Sequence, residues 1–419
     1  MSQRLVPKLR FPEFRGDEGW EVHPLGDKSS IVRGGSPRPI EDFLTSSSTG
    51  LNWLKIGDVS PESKYVTQTS EKVIPEALNK TRQVAPGDLI LSNSMSFGRP
   101  YILQIDSCIH DGWIAVTETV DIVETDYLYY AILSPSSQLF FLENAAGAVV
   151  QNLNAEIVKK LRIPIPGRAE QSKIAACLSS LDDLMAAHQK KLETLRVHKK
   201  GLMQQLFPIE GETMPQLRFP EFRGEWVAKK LWELVEKVSL PVEVSDEVVY
   251  REIGIRSHGK GIFHKEPVSG LMLGEKRVFW VVPGTLIVNI VFAWEQAVAV
   301  VGPIEAGMIA SHRFPMYKSV SGNCHIPYLK HFLLTLRGKT LLGLASPGGA
   351  GRNKTLGQKE FEELVLLIPT DLREQEKIAS LLTSVDDQIR SQSQLIETLK
   401  QQKEALMQQL FPHLEDSGE

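Results

Sequence analysis

Two stretches of this chain occur twice, and the duplication limits the fold more than any other feature. Residues 170–208, EQSKIAACLSSLDDLMAAHQKKLETLRVHKKGLMQQLFP, align without a gap on 374–412, EQEKIASLLTSVDDQIRSQSQLIETLKQQKEALMQQLFP, with 20 identities in 39 positions. A shorter tag, LRFPEFRG, stands at 9 and again at 217, each copy followed by a tryptophan, Trp20 or Trp226. The period is 204 to 208 residues. A period that long means a duplicated domain and excludes a solenoid of short repeats. Between the tags and the closing stretches the likeness is one of pattern: VAPGDLILSN at 84 matches VVPGTLIVNI at 281, and LNAEIVKKLRIPIP at 153 matches LGQKEFEELVLLIP at 356. Each half therefore reads as tag, variable globular domain and long helix.

The closing stretches have the pattern of coiled-coil helices. Each begins after a proline (Pro166, Pro369) and stops at LFP, where Pro208 and Pro412 cannot continue a helix. Apolar residues recur at alternating spacings of three and four, at Leu178, Leu181, Met185, Leu192, Leu195, Leu202 and Leu206 in the first copy. The second copy gives Leu382, Val385, Ile389, Ile396, Leu399, Leu406 and Leu410. Polar residues interrupt the seam at matching places, His188 with Gln392 and Lys199 with Lys403. Such interruptions set register at some cost in stability. Two readings follow: separate core helices of two domains, or two helices that pair with each other. Pairing of tandem copies about a two-fold axis requires the helices to run antiparallel. The fold class expected is α+β: two tandem mixed α/β domains separated by two long helices pairing as an antiparallel coiled coil, with pseudo-two-fold symmetry.

The domains combine short β-rich runs such as DLILSNS and TLIVNIV with two helical stretches, 126–144 and 326–344. At 419 residues the chain suits two or three domains, and 42% hydrophobic with 23% charged residues is ordinary for a soluble protein. No run of about 18 apolar residues suggests a membrane span. The N-terminal residues lack the apolar stretch and cleavage site of a signal peptide. Cys108, Cys177 and Cys324 are far apart, which fits a reducing cytoplasm and gives neither a zinc site nor a disulfide framework.

Catalytic signatures are missing. GIRSHGKG at 254 has the spacing of a phosphate loop, but Gly261 stands where the hydroxyl residue for Mg²⁺ belongs. SPGGAGRNKT at 346 is a basic glycine-rich loop without the dinucleotide pattern, and the ten histidines form no HExxH. No methyltransferase signature or nucleophile motif is present. The adjacent pairs Asp182, Asp183 and Asp386, Asp387 hold the same helix phase and read as a solvated or partner-facing surface.

Loops that mix basic, amide and aromatic groups beside glycine are what remain. In the first half these are Arg38, Lys55, Asp58, Asn93, Ser94, Ser96, Phe97, Arg99, Trp113, Gln151 and Asn152. In the second they are Arg251, Arg256, His258, Lys260, Asn289, Trp294, His312, Arg313, Arg352, Asn353 and Lys354. Arg and Lys suit guanine edges and phosphates, and Asn and Gln suit adenine edges, so these are candidate DNA contacts. A net charge of −4 means that such contacts rely on local patches, or share the phosphates with a partner.

The duplicated helix motif, the LRFPEFRG tags and GDLILSNSMSFGRP resemble the specificity (S) subunits of type I DNA restriction–modification systems. The resemblance covers nearly the whole chain. It implies target recognition domains at 1–166 and 209–369, a central conserved helix at 167–208 and a C-terminal one at 370–419. Each recognition domain would read one half of a bipartite site in double-stranded DNA, and the helices would dock two methyltransferase (M) subunits. Restriction (R) subunits would join through M. The chain itself would bind no cofactor and catalyse nothing; S-adenosylmethionine, ATP and Mg²⁺ would belong to the partners. Ser94, Ser96, Phe97, Gly98 and Arg99 fit the family's loop in the first domain, whereas VNIVFAWEQ in the second lacks its glycine and arginine. The expected location is the cytoplasm, in keeping with the scattered cysteines. Two other classes fit the bare sequence, a stand-alone DNA-binding regulator and a coiled-coil scaffold.

Overall fold

The computed structural model describes residues 4–93, 97–119, 123–145, 152–348 and 354–412. The chain forms two compact units, residues 1–189 with 395–419, and residues 190–394. These units cut across the ranges read from the sequence, because each long helix is divided between them. The central helix runs Arg168–Gln205 and the C-terminal helix Leu372–Leu410. Among the described residues no helix is long and apolar enough to cross a membrane.

The first unit is built on a sheet with Ser30–Arg33, Trp113–Thr117, Leu89–Ser92 and Pro100–Leu103 as antiparallel neighbours, and Tyr65–Val66 added parallel at the edge. The second unit repeats this order with Val235–Val238, Met316–Ser319, Leu286–Val288 and Val298–Val300. Beside it the first unit has a second five-stranded sheet that includes Arg82–Val84 and Ser107–Ile109. The second unit keeps the matching antiparallel pair, Val278–Trp280 with Ile309–Ser311. Central strands are buried on both faces and so read as continuous apolar runs: all of Leu89–Ser92 and Leu286–Val288 is buried. The helical stretches read at 126–144 and 326–344 are each two helices. Pro135 starts the second helix in one, and Thr335 caps it in the other by accepting from the Gly338 amide.

Within each unit two helix segments pack antiparallel. In the first, Met407, Leu410 and Phe411 join Ile174, Ala175 and Leu178 in one core, while Lys403 meets Asp182 at 2.5 Å. In the second, Leu206 and Phe207 join Ile378, Ala379 and Leu382, while Lys199 meets Asp386 at 2.5 Å. None of the nine seam positions on either helix is exposed. The adjacent carboxylates therefore divide their work, which corrects their reading as a solvated pair. Asp182 and Asp386 turn inward onto lysines, and only Asp183 and Asp387 are exposed. The lysines that interrupt the seam each have a carboxylate opposite, a partner that heptad counting cannot see.

The repeated tag has an equally local cause. Arg10 grips Glu170 with two hydrogen bonds of 2.8 Å, and Trp20 Nε1 donates to the same carboxylate at 3.0 Å. In the second unit Arg218 grips Glu374 with two bonds of 2.7 Å, and Trp226 donates at 3.2 Å. The next residue, Gln171 or Gln375, donates to the carbonyl of Pro166 or Pro369 and accepts from the amide of Glu124 or His325. Lys173 then pairs with Glu13 and lies over Phe11, as Lys377 pairs with Glu221 and lies over Phe219. So RFPEF, the tryptophan and EQxK are one lock, buried at the glutamate and glutamine and open at the lysine, and duplication has kept all of its parts. Fork-to-carboxylate geometry is the favourable way to bury such a charge pair.

Candidate nucleic-acid interface

In both units three loops meet at a junction of backbone hydrogen bonds. In the first, the Asn93 amide donates to the Gly112 carbonyl at 3.0 Å, and the Leu153 amide donates to the Asn93 carbonyl at 2.9 Å. In the second, Ile290 donates to Arg313 at 3.0 Å and Leu356 to Ile290 at 2.8 Å. Both junctions follow the matching buried strands, Leu89–Ser92 and Leu286–Val288, so the loops gather at the same end of each unit. The frame repeats here while the side chains it carries do not.

Around the first junction a network centres on Asp111. Ser36 Oγ donates to its carboxylate at 2.8 Å, His110 Nε2 lies 3.1 Å away and Arg38 3.6 Å. Arg33 Nε and Asn93 Nδ2 both donate to the Asp111 carbonyl. Burial works against the charge, but the Ser36 hydroxyl, His110, Arg33 and Arg38 together hold the carboxyl below its usual range. Gly34 is required here, because a Cβ on it would lie 2.2 Å from the His110 carbonyl oxygen. Arg33, Ser36, His110 and Asp111 are missing from the sequence candidates. The available signal is the adjacent His110 and Asp111 next to Gly112.

The other candidates of the first unit divide. Arg38 is well exposed, and Asn152 is exposed beside the junction. Lys55 pairs with Glu71 at 2.6 Å, and Asp58 is spent on its own turn, accepting from the Lys55 amide and from Ser70. Asn93 is 4% exposed and shapes the loops instead of reaching out. Phe97 packs against the core, and Arg99 lies 5.9 Å from the Tyr101 ring with a buried Nε that has no partner among the described residues. Trp113 is a correction. It is 1% exposed and stacks edge-on against Tyr101 at 5.6 Å, because its strand faces the core on both sides; it is a core residue, out of reach of any duplex. Ser94, Ser96 and Gln151 lie outside the described residues.

In the second unit Arg256, His258, Lys260 and Asn289 come together around an open hollow of about 490 Å³, with Lys265 and three phenylalanines. The turn that makes its rim has left-handed backbone at His258, Gly259 and Gly261. It is tied down by amides of His258 and Gly259 donating to the carbonyls of Glu295 and Gln296. Trp294 is half-buried with Lys354 over its ring at 5.8 Å, and Arg313 is exposed at the junction. Arg251 and His312 are exposed but do not line the hollow. Arg352 and Asn353 lie outside the described residues.

A family model described as the type I restriction modification DNA specificity domain matches residues 17–196 and 287–401. The chain belongs to that family. Among curated proteins of Methanocaldococcus jannaschii it is similar to the type I restriction enzyme MjaVIII specificity subunit, 26% identical over 54% of the chain. The chain spans about half the length of that relative, 52%. It is also similar to the putative type I restriction enzyme MjaX specificity subunit, 23% identical over 94% of the chain and 93% of the relative. Two solved structures share the fold. One is the type I restriction-modification S subunit from M. genitalium, with TM-score 0.60, 14% identity and coverage of 97% and 99%. The other is from a study of complex assembly and conformational transition of the type I R-M system, with TM-score 0.55, 14% identity and coverage of 94% and 98%.

Proposed function

We propose that this chain is the DNA sequence-recognition subunit of a type I restriction–modification complex, each unit reading one half of a bipartite site through the loops at its junction. One observation carries the reading: the two units share their lock, sheet order and loop junction, yet differ in nearly every side chain that the junction presents. That is what two readers of two different half-sites need. Arg38 and the Asp111 network serve one half, and Arg256, His258 and Lys260 the other. The lock and the helix pairs, the best repeated parts of the sequence, suit two copies of one partner, and two methyltransferase subunits dock there. The partners carry S-adenosylmethionine, and restriction subunits joined through them use ATP and Mg²⁺; this chain supplies recognition and no catalysis.

The experiment is a domain exchange. Residues 225–362 are replaced by the corresponding part of a relative, and the methylated sequence is mapped across a genome. One half of the site changes and the other persists. A change in both halves, or in neither, refutes separate readout.

A further inference from the structure

The polar groups around the hollow of the second unit are mostly donors, with His258 able to donate or to accept. Arg256, Lys260 and Lys265 are cationic, and among the described residues no carboxylate lines the hollow. Ser257 turns its hydroxyl away, donating to Glu295 at 2.8 Å. Asn289, 8% exposed, accepts from the Val291 amide through Oδ1 at 3.1 Å, so what its amide offers the hollow is the Nδ2 donor. The Arg256 guanidinium lies over the Phe263 ring, 4.8 Å from its centre, and has no carboxylate partner among the described residues. Stacking fixes the plane of its fork and leaves the donors open. Phe263, Phe292 and Phe314 give the hollow an apolar wall.

Donors on an aromatic wall select a planar edge that carries acceptors. In the major groove guanine alone presents two acceptors, N7 and O6, with no donor between them and a neighbouring arginine. Adenine and cytosine each present an amino donor, which would meet another donor here, and thymine offers a single acceptor, O4, where a fork calls for two. A backbone phosphate shares the acceptor chemistry, and the test below separates the two sources. We infer that the second unit reads a guanine in its half-site, with Arg256 as the fork on N7 and O6 and Asn289 as a fixed donor beside it. This rests on the DNA-reading function proposed above.

The test uses the full chain with its methyltransferase partner and short duplexes carrying the mapped site. The half-site that changes in the 225–362 exchange contains a guanine whose replacement by 7-deazaguanine, which lacks the N7 acceptor, weakens binding roughly ten- to a hundredfold. Arg256→Lys, an exchange at an exposed position that keeps the charge and removes the fork, makes the complex indifferent to that replacement. A neutral methylphosphonate at the same step leaves the preference for guanine over 7-deazaguanine intact. A half-site without guanine overturns the assignment. So does a loss of binding with methylphosphonate and none with 7-deazaguanine, which would assign the hollow to a phosphate. If the unaltered complex binds the mapped and a scrambled duplex equally, the DNA-reading function itself fails, and the guanine with it.

Discussion

The two units use one lock but clamp their helix segments with different chemistry. In the first, Tyr130 donates to Asp182 at 2.7 Å and lies 3.1 Å from Ser179, while Lys403 meets the same carboxylate. Lys64 fills the space beside them, over the rings of Tyr65, Tyr129 and Tyr130. In the second, His331 stands where Tyr130 does, 3.2 Å from Thr383, and Lys330 joins Lys199 on Asp386. Burial pushes Lys330 down, and burial with Lys330 nearby pushes His331 down to about 3. Where the first unit sets a tyrosine hydroxyl beside its carboxylate and lysine, the second sets an imidazole and a second lysine. Geometry is held in common where the backbone is locked, and side chains one layer away are free to differ as long as each charge keeps a partner.

The comparison breaks most visibly at the lock itself. Glu170→Gln strands a buried guanidinium and is expected to cost about 3–5 kcal/mol. Glu374→Gln is expected to cost less, because the Arg218 side chain is 16% exposed against 6% for Arg10, and water reaches the stranded charge. Urea unfolding of both variants measures the difference; equal losses would mean that exposure of the arginine does not matter.

A smaller effect separates the clamps by pH. The folded second unit resists protonation of His331 because burial, Lys330, Lys199 and His325 oppose it more than Asp386 favours it. The unfolded chain takes up the proton first once pH falls below 6.5, so stability is whole above that value and declines towards pH 3. The decline is at most about 1.4 kcal/mol per pH unit. His331→Tyr, which installs the residue of the first unit, is expected to remove it. The difference between the thermal melts of the two proteins should shift in favour of the variant from pH 7 to pH 5; a constant separation would rule out titration of His331 as the cause.

The smallest effect concerns one helix cap. Asn154 accepts from the Ile157 amide at 2.9 Å, whereas the matching helix Gln358–Glu362 begins after Gly357 with no side-chain cap. Asn154→Ala is expected to cost about 1 kcal/mol, read as a shift in the unfolding midpoint. An unchanged midpoint would show that this helix is held by packing alone.

The sequence made legible whatever repeats or has a period. The helices stop at Gln205 and Leu410, beside the prolines that predict their ends, and the strand patterns at 84 and 281 do occupy matching places. Illegible were contacts between residues far apart in the chain. Nothing local to Arg10 announces Glu170, and nothing in the Asp182-Asp183 pair says that one carboxylate turns inward to Lys403. Loop chemistry was half legible. Arg256, His258, Lys260 and Asn289 do share a hollow, but Trp113 shows that an aromatic beside a polar loop is as readily the first residue of a buried strand.

The last turns of the helices carry a consequence for ancestry. Phe411 packs on Tyr127 with ring centres 5.7 Å apart, and Phe207 packs on Tyr328 at 5.5 Å. The ring that closes each core thus comes from the helix of the other repeat. A chain holding one repeat alone would lack the ring that covers its own tyrosine, which a second such chain would have to supply. Joined in one polypeptide, that exchange no longer depends on protein concentration. Each repeat is then free to change its loops without having to remain compatible with an identical copy of itself.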